Sequence, residues 1–141
     1  MKIILDVNVI LSAILKDSIT RRIIFKSKHH FYFPEYAFEK IEKHQDYIIE
    51  KSRLEKEEFS TLLKRLFKHI EIIPTINLEE HWLKSTRIME EIDPEDVVFI
   101  AAALSIQCAV IWSEDKHFNK QKVIKFLKTK DMMRLMEELK E

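Results

Sequence analysis

Two polar residues interrupt an aliphatic stretch near the start of the chain, KIILDVNVIL. Asp6 follows Ile3, Ile4 and Leu5, and further aliphatic residues come directly after it. Burying a carboxylate without a compensating partner is costly, so stability alone does not explain Asp6. Asn8 has the same parity as Asp6 and is expected to point to the same place. Both residues are therefore candidates for chemistry.

Two other segments carry acids at comparable places. Asp93 and Asp96 begin the apolar helix predicted for DPEDVVFIAAALSIQ, and Ser113 and Asp115 follow the strand-like AVIW. In open parallel sheets, ligands bind at the carboxyl ends of the strands, and a helix that leads into a parallel strand begins near that edge. We therefore expect Asp6, Asp96 and Asp115 to converge there.

Such a group of carboxylates indicates a cation. Two carboxylates about 4 Å apart repel by roughly 4 kcal/mol at an effective dielectric constant near 20. A hard ion such as Mg²⁺ or Mn²⁺ relieves that repulsion and prefers oxygen ligands. It can also activate water and stabilise a leaving oxygen, which favours metal-assisted phosphodiester hydrolysis.

Each acid also has a structural interpretation. Asp93 before Pro94 is a good helix N-cap. Asp96 would then occupy the third helical position, where an acid completes a capping box and interacts favourably with the helix dipole. Asp115 could be a turn residue. These alternatives stay open for Asp93, Asp96 and Asp115 considered one at a time.

The elements that must position these residues alternate along the chain. Strands are predicted for KIILD, HHFYFP, IEIIP and CAVIWS, with KVIKF as a fifth candidate. Segments with helical spacing of apolar residues separate them, and an amphipathic tail begins at Thr129. This order predicts an α/β fold: one domain over residues 1–141, a three-layer α/β/α sandwich with a mostly parallel sheet of four to five strands.

Composition excludes several classes. The 141 residues carry 24 basic and 24 acidic side chains, so no net charge attracts the chain to nucleic acid or membrane. Glycine is absent, which excludes glycine-rich phosphate loops and requires turns built from Asn, Lys, Asp and Ser. The single cysteine, Cys108, fits a reducing compartment. We expect no signal peptide or membrane span, and a cytoplasmic protein.

The three acidic motifs together resemble those of the PIN-domain ribonucleases, a family that includes VapC-type toxins. ILDVNVILSAIL is similar to the first motif of that family, and DPEDVVFIAAAL to the third, with Asp96 in the metal-ligand position. AVIWSEDKHF is similar to the last motif, with Ser113, Asp115 and Phe118 at the matching places.

The resemblance implies a mechanism and partners. Asp6, Asp96 and Asp115 would coordinate one or two Mg²⁺ or Mn²⁺ ions, while Asn8 and Ser113 orient ligands or waters and Asp93 acts as a cap near the site. A metal-activated water would cleave RNA, leaving a 5′-phosphate and a 3′-hydroxyl. The resemblance further implies an antitoxin partner, as in toxin–antitoxin pairs, and a homodimer.

The second motif departs from the family pattern. The family has a Glu on the helix after the second strand, where this chain has Lys40 in FPEYAFEKIEKHQ. Glu39 and Glu42 lie on either side, and a small rotation of the helix would bring either one to the site. If neither completes it, the chain would be a degenerate, non-catalytic PIN-like module that binds RNA or serves as a scaffold.

Two remaining features concern substrates. A basic cluster beside Asp115 is well placed to hold RNA phosphates, and its members are Lys116, His117, Lys120 and Lys122.

A haloacid-dehalogenase-type phosphatase also begins with a strand ending in D-x-D. Asn8 stands where that class has its second Asp, and an amide cannot serve as the acid.

Overall fold

The fold is built on a five-stranded, all-parallel sheet. A computed structural model describes residues 1–15 and 18–140 of the chain. The strands lie in the order β3-β2-β1-β4-β5. Their bounds are β1 Lys2–Leu5, β2 His30–Pro34, β3 Ile70–Ile73, β4 Val110–Trp112 and β5 Phe126–Leu127. The predicted α/β/α class with a central parallel sheet is confirmed.

Seven α-helices accompany the strands within the described residues, forming the two outer layers of the α/β/α fold. Helix α6 contacts β1, β2 and β4, and α5 packs against α6. Helix α1 contacts α2, α3 and α4, and α7 contacts α2 and β5. The bounds are α1 Val7–Ile14, α2 Ile19–Lys26, α3 Phe38–Ser52, α4 Lys56–Phe67, α5 Glu79–Met89, α6 Val97–Ser105 and α7 Thr129–Lys140. None of these helices is long and apolar enough to cross a membrane.

The centre of the sheet fixes the place of the acidic residues. β1 lies between β2 and β4, and its residues Ile3, Ile4 and Leu5 are all completely buried. Both faces of the strand are therefore covered, which explains its unbroken aliphatic sequence. Leu5 pairs with Trp112, so the residues that follow them, Asp6 and Ser113, leave the sheet side by side. α6 is almost entirely buried and apolar, and it begins directly after Asp96.

Two turns depart from the expected turn chemistry. Among the described residues, Arg53 at the end of α3 and Cys108 before β4 have positive φ angles, 59° and 62°. The left-handed region costs a non-glycine residue roughly 1–2 kcal/mol. The expectation that Asn, Lys, Asp and Ser would fill such places is wrong for these two turns. Arg53 and Cys108 adopt the left-handed conformation there instead. Cys108 is exposed.

The fifth strand lies further along the chain than predicted. It covers Phe126–Leu127 rather than KVIKF. The buried side chain of Gln121 accepts hydrogen bonds from the backbone N–H groups of Val123 and Ile124 and donates one to the Ile124 carbonyl. Because the side chain of Gln121 occupies these backbone groups, this part of the predicted strand forms a turn instead.

Candidate metal centre

Asp6 lies at the end of β1 with its carboxylate almost completely buried, 2% exposed. Its N–H donates to the carbonyl of Trp112 at 3.2 Å, which continues the pairing of β1 with β4 by one residue. The hydroxyl of Ser113 donates to Oδ2 of Asp6 at 2.6 Å. Ser113 Oγ also accepts from the N–H of Asp115 at 2.9 Å, so one hydroxyl connects two of the predicted acids.

Asp96 ends the short 3₁₀ helix Pro94–Asp96 that leads into α6. The capping is done by Asp93, whose Oδ1 accepts from the N–H of Glu95 at 3.0 Å. Asp96 is 6% exposed, and its Oδ2 has no hydrogen-bond partner. The capping interpretation therefore holds for Asp93, whereas the side chain of Asp96 forms no cap hydrogen bond and faces the cleft described below.

Asp115 caps a turn and also lines the cleft. Its Oδ1 accepts from the N–H of His117 at 2.9 Å and caps the 3₁₀ helix Lys116–Lys120. The same carboxylate lines a cleft together with Asp6 and Asp96. The side chain of Asp115 therefore stabilises the turn and contributes to the cleft at the same time.

The cleft has a volume of about 310 Å³ and opens at the carboxyl edge of the sheet. It brings together most of the predicted site residues. Glu42 is exposed on α3 and does not line it, and the exposed Lys116, Lys120 and Lys122 also lie outside its lining. The lining residues are Asp6, Val7, Asn8, Glu39, Lys40, Lys43, His44, Asp93, Glu95, Asp96 and Asp115.

Two carboxylates in this cleft, those of Asp6 and Asp96, have pKa values above the usual value of an aspartate. Burial is the main cause that raises the pKa of Asp96, to about 8, and the negative charges of Asp6, Asp93 and Asp115 raise it further, against a lowering by Lys40. Burial also raises the pKa of Asp6, with an opposing hydrogen bond from Ser113. The cleft is therefore short of positive charge, which a cation would supply.

Lys40 partly supplies such a charge. Its ammonium donates to the backbone carbonyl of Glu95 and lies 5.6 Å from the ring centroid of Phe99. Its charge also favours the ionised form of Asp96. The residue that breaks the second family motif is thus inside the cleft, and Glu39 lies beside it.

His117 is a potential ligand that the sequence did not single out. Its Nδ1 lies 3.1 Å from Oδ2 of Asp93, 3.1 Å from Oδ1 of Asp115 and 3.8 Å from Oδ2 of Asp96. One potential ligand atom from each of these four residues lies within 4.8 Å of all the others. In the sequence, only the spacing of two residues from Asp115 pointed to His117, and it was grouped with the basic residues.

The donor set fits a divalent ion. Carboxylate oxygens suit Mg²⁺ and Mn²⁺, and imidazole nitrogen is an accepted ligand of transition metals. The orphaned Oδ2 of buried Asp96 is the observation that favours a bound cation, because such an atom is otherwise rarely left without a partner. Asp6, bound by Ser113, approaches from the adjacent strand end.

This protein thus belongs to the class of α/β/α proteins that have a cleft lined by carboxylates at the carboxyl edge of a parallel sheet. The sequence matches the PIN domain family over residues 4–138, and the chain belongs to this family. The family is the one that the sequence motifs indicated.

One solved structure with a similar fold is VapBC2 from Rickettsia felis, bound to a DNA fragment from the VapBC2 promoter. The TM-score is 0.67 at 17% sequence identity, over 91% of this chain and 98% of that chain. At this identity the likeness concerns the fold. No curated protein matches the sequence.

Proposed function

We propose that this protein is a divalent-metal-dependent endoribonuclease that hydrolyses RNA phosphodiester bonds. Membership of the PIN domain family supports a nuclease role. The observation that carries the proposal is the cleft in which Asp6, Asp96 and Asp115 meet, although they are far apart along the chain. With a pKa of about 8, Asp96 needs a nearby positive charge to be ionised at neutral pH.

In this proposal Asp6, Asp96 and Asp115 hold Mg²⁺ or Mn²⁺. A divalent ion bound there lowers the pKa of a water and stabilises negative charge on phosphate oxygens. Ser113 fixes the orientation of Asp6 through its 2.6 Å hydrogen bond. Asn8 is exposed at the cleft and can donate to a phosphate oxygen or a water.

The surroundings of the cleft would bind the RNA strand. Lys116, Lys120 and Lys122 are exposed on and after the 3₁₀ helix that Asp115 caps. Their ammonium groups can neutralise phosphates on either side of the scissile bond without reading sequence. Glu39 lines the cleft and is the better candidate for the fourth acid, because Glu42 lies outside the lining.

A non-catalytic RNA-binding or scaffold module is the second candidate, and Lys40 favours it. An ammonium placed among the acids supplies positive charge without a metal. In that case the cleft would be stabilised by Lys40 alone, and no water would be activated in it.

An RNA-cleavage assay separates the two candidates. Single-stranded RNA is incubated with Mn²⁺ and the wild type, with Asp6→Asn, and with wild type plus a chelator. Cleavage by the wild type alone supports the enzyme, whereas equal silence in all three samples supports the binding module. Glu39→Gln is compared with Glu42→Gln as its matched control, and only the first is expected to reduce cleavage.

The proposal includes a protein partner. We propose an antitoxin, because one similar solved structure is that of VapBC2 bound to a DNA fragment from its promoter. We also propose a homodimer and a cytoplasmic location. Co-expression with the product of a small neighbouring gene, followed by light scattering, tests the partner and the oligomeric state together. A monomer that no such product binds would contradict this part alone.

A further inference from the structure

We propose that His117 is a direct metal ligand through Nδ1, and that it makes the site select Mn²⁺ over Mg²⁺. This inference rests on the proposed metal dependence and names the ion that the site prefers. One ion at this position would be held by the carboxylates of Asp93, Asp96 and Asp115 and by one imidazole nitrogen. Asp6, bound by Ser113, lines the same cleft and would complete the site from the end of β1.

The spacing of the four side chains is close to that of ligands around one ion, with all four ligand atoms within 4.8 Å of one another. Nδ1 of His117 is 3.1 Å from one oxygen of Asp93 and 3.1 Å from one of Asp115. An octahedral ion with ligands at about 2.1 Å separates neighbouring ligands by about 3.0 Å. Oδ2 of Asp96 lies slightly further from Nδ1, at 3.8 Å, and requires only a small movement.

The short distances from His117 are not hydrogen bonds. Nδ1 is buried and makes no hydrogen bond of acceptable geometry, and Oδ2 of Asp96 also lacks a partner. Two buried polar atoms without partners, 3.8 Å apart, are unfavourable in the same place. A cation between them satisfies both, and only 6% of Asp96 is exposed.

The backbone around His117 is fixed, and this keeps the imidazole in its position. The N–H of His117 donates to Oδ1 of Asp115, which fixes the start of the 3₁₀ helix. The next residue, Phe118, is completely buried and anchors the same turn in the core. The ring of His117 is therefore held beside the carboxylates rather than presented to RNA with the neighbouring lysines.

An imidazole changes which ion the carboxylates prefer. Mg²⁺ demands near-ideal octahedral geometry and favours oxygen ligands and retained waters. Imidazole suits transition metals rather than Mg²⁺, and Mn²⁺ is a transition metal that carboxylate ligands also suit. Three carboxylates with one nitrogen thus form a site that both ions can enter but that Mn²⁺ occupies more tightly.

Calorimetry and electron spin echo spectroscopy test this inference. Mn²⁺ and Mg²⁺ are titrated separately into the wild type, His117→Ala and His44→Ala. His44 is the matched control, because it lines the same cleft outside the group of four. We expect His117→Ala to weaken Mn²⁺ binding at least as much as the loss of an outer-shell partner does, about 10–100-fold, and to weaken Mg²⁺ binding much less. The ¹⁴N modulation of bound Mn²⁺ should be present in the wild type and His44→Ala and absent in His117→Ala.

The possible results separate the role of His117 as a ligand from the proposed metal-dependent nuclease activity. If the wild type binds Mn²⁺ without ¹⁴N modulation, His117 is not a ligand, and the proposed nuclease is left intact. The same holds if His44→Ala, rather than His117→Ala, loses the modulation. If the wild type binds neither ion, both proposals are overturned. The wild-type spectrum alone decides whether an imidazole is bound to the ion, should His117→Ala fail to fold.

Discussion

The hydroxyl of Ser113 lies 2.6 Å from Oδ2 of Asp6, although the two residues are 107 positions apart. The contact exists because β1 and β4 are neighbours in the sheet and both end at this edge. It joins the two strand ends that contribute acids to the cleft. It also gives a buried carboxylate its side-chain donor, so its removal has consequences that can be measured.

Ser113→Ala should destabilise the metal-free protein by about 1–3 kcal/mol, because the buried carboxylate of Asp6 loses the hydrogen bond from the Ser113 hydroxyl. The measurement is urea denaturation at pH 7 in the presence of a chelator. Ser85→Ala is the matched control. Ser85 is equally buried, but its hydroxyl donates to the helical carbonyl of His81, so no charge loses a partner. Equal losses for the two variants would contradict a special role of the Ser113–Asp6 bond.

The stability of the metal-free protein should fall as the pH rises from about 4 to about 8. The folded state holds the proton of Asp96 up to a pKa of about 8, whereas the unfolded chain releases it near 3.8. Between these values the folded state binds more protons, so the free energy of unfolding decreases with pH. We expect a loss on the order of 2 kcal/mol, a fraction of the full shift, because water reaches the cleft.

Asp96→Asn provides the control for this pH dependence. It removes the titrating group while it keeps the shape of the side chain. The variant should be more stable than the wild type at pH 8 in chelator and should show a flatter slope. An unchanged slope would mean that Asp96 does not cause the pH dependence of the wild type.

The meeting of Asp6, Asp96 and Asp115 could be predicted from the sequence for a physical reason. Aliphatic runs specify buried parallel strands, and the carboxyl ends of such strands share one edge. Asp6 directly follows β1, Asp115 lies three residues after the end of β4, and Asp96 directly precedes α6, which leads into β4. Their convergence therefore depended only on the order of the elements, not on the orientation of any single side chain.

The position of His117 could not be obtained in this way. It depends on the turn that follows β4, where the cap formed by Asp115 sets the direction of the imidazole. The place of Lys40 depends similarly on the rotation of α3 about its axis, which apolar spacing fixes only approximately. The shift of β5 follows from the side-chain bonds of Gln121, a polar residue whose burial the sequence did not indicate.

Adding Mn²⁺ should stabilise the wild type and abolish most of the decline in stability between pH 5 and pH 8. An ion that binds only the folded state adds RT ln(1 + [L]/Kd), about 2.7 kcal/mol at a hundredfold excess over Kd. It also favours the ionised form of Asp96, so the proton is released at lower pH. Thermal unfolding with and without Mn²⁺ at both pH values measures this. Asp96→Asn should show a much smaller gain, and a gain equal to that of the wild type would place the ion elsewhere.

Lys40→Glu should have opposite effects in the absence and in the presence of a metal. Without an ion, the variant loses the hydrogen bond to the Glu95 carbonyl and adds a negative charge beside Asp96, so its free energy of unfolding should fall. With Mn²⁺, the new carboxylate relieves the competition from the ammonium and should lower the Kd about tenfold. Urea denaturation in chelator and calorimetry with Mn²⁺ measure the two effects.

Lys40→Met separates the loss of the ammonium from the gain of a carboxylate. Methionine keeps an apolar stem of similar length beside Phe99 but carries no charge. If both variants bind Mn²⁺ more tightly than the wild type, the ammonium of Lys40 competes with the ion for the carboxylates. If only Lys40→Glu binds more tightly, the wild-type cleft lacks one carboxylate ligand, and a carboxylate at position 40 of α3 can take that place. Unchanged binding in both variants would show that Lys40 lies too far from the ion to influence it.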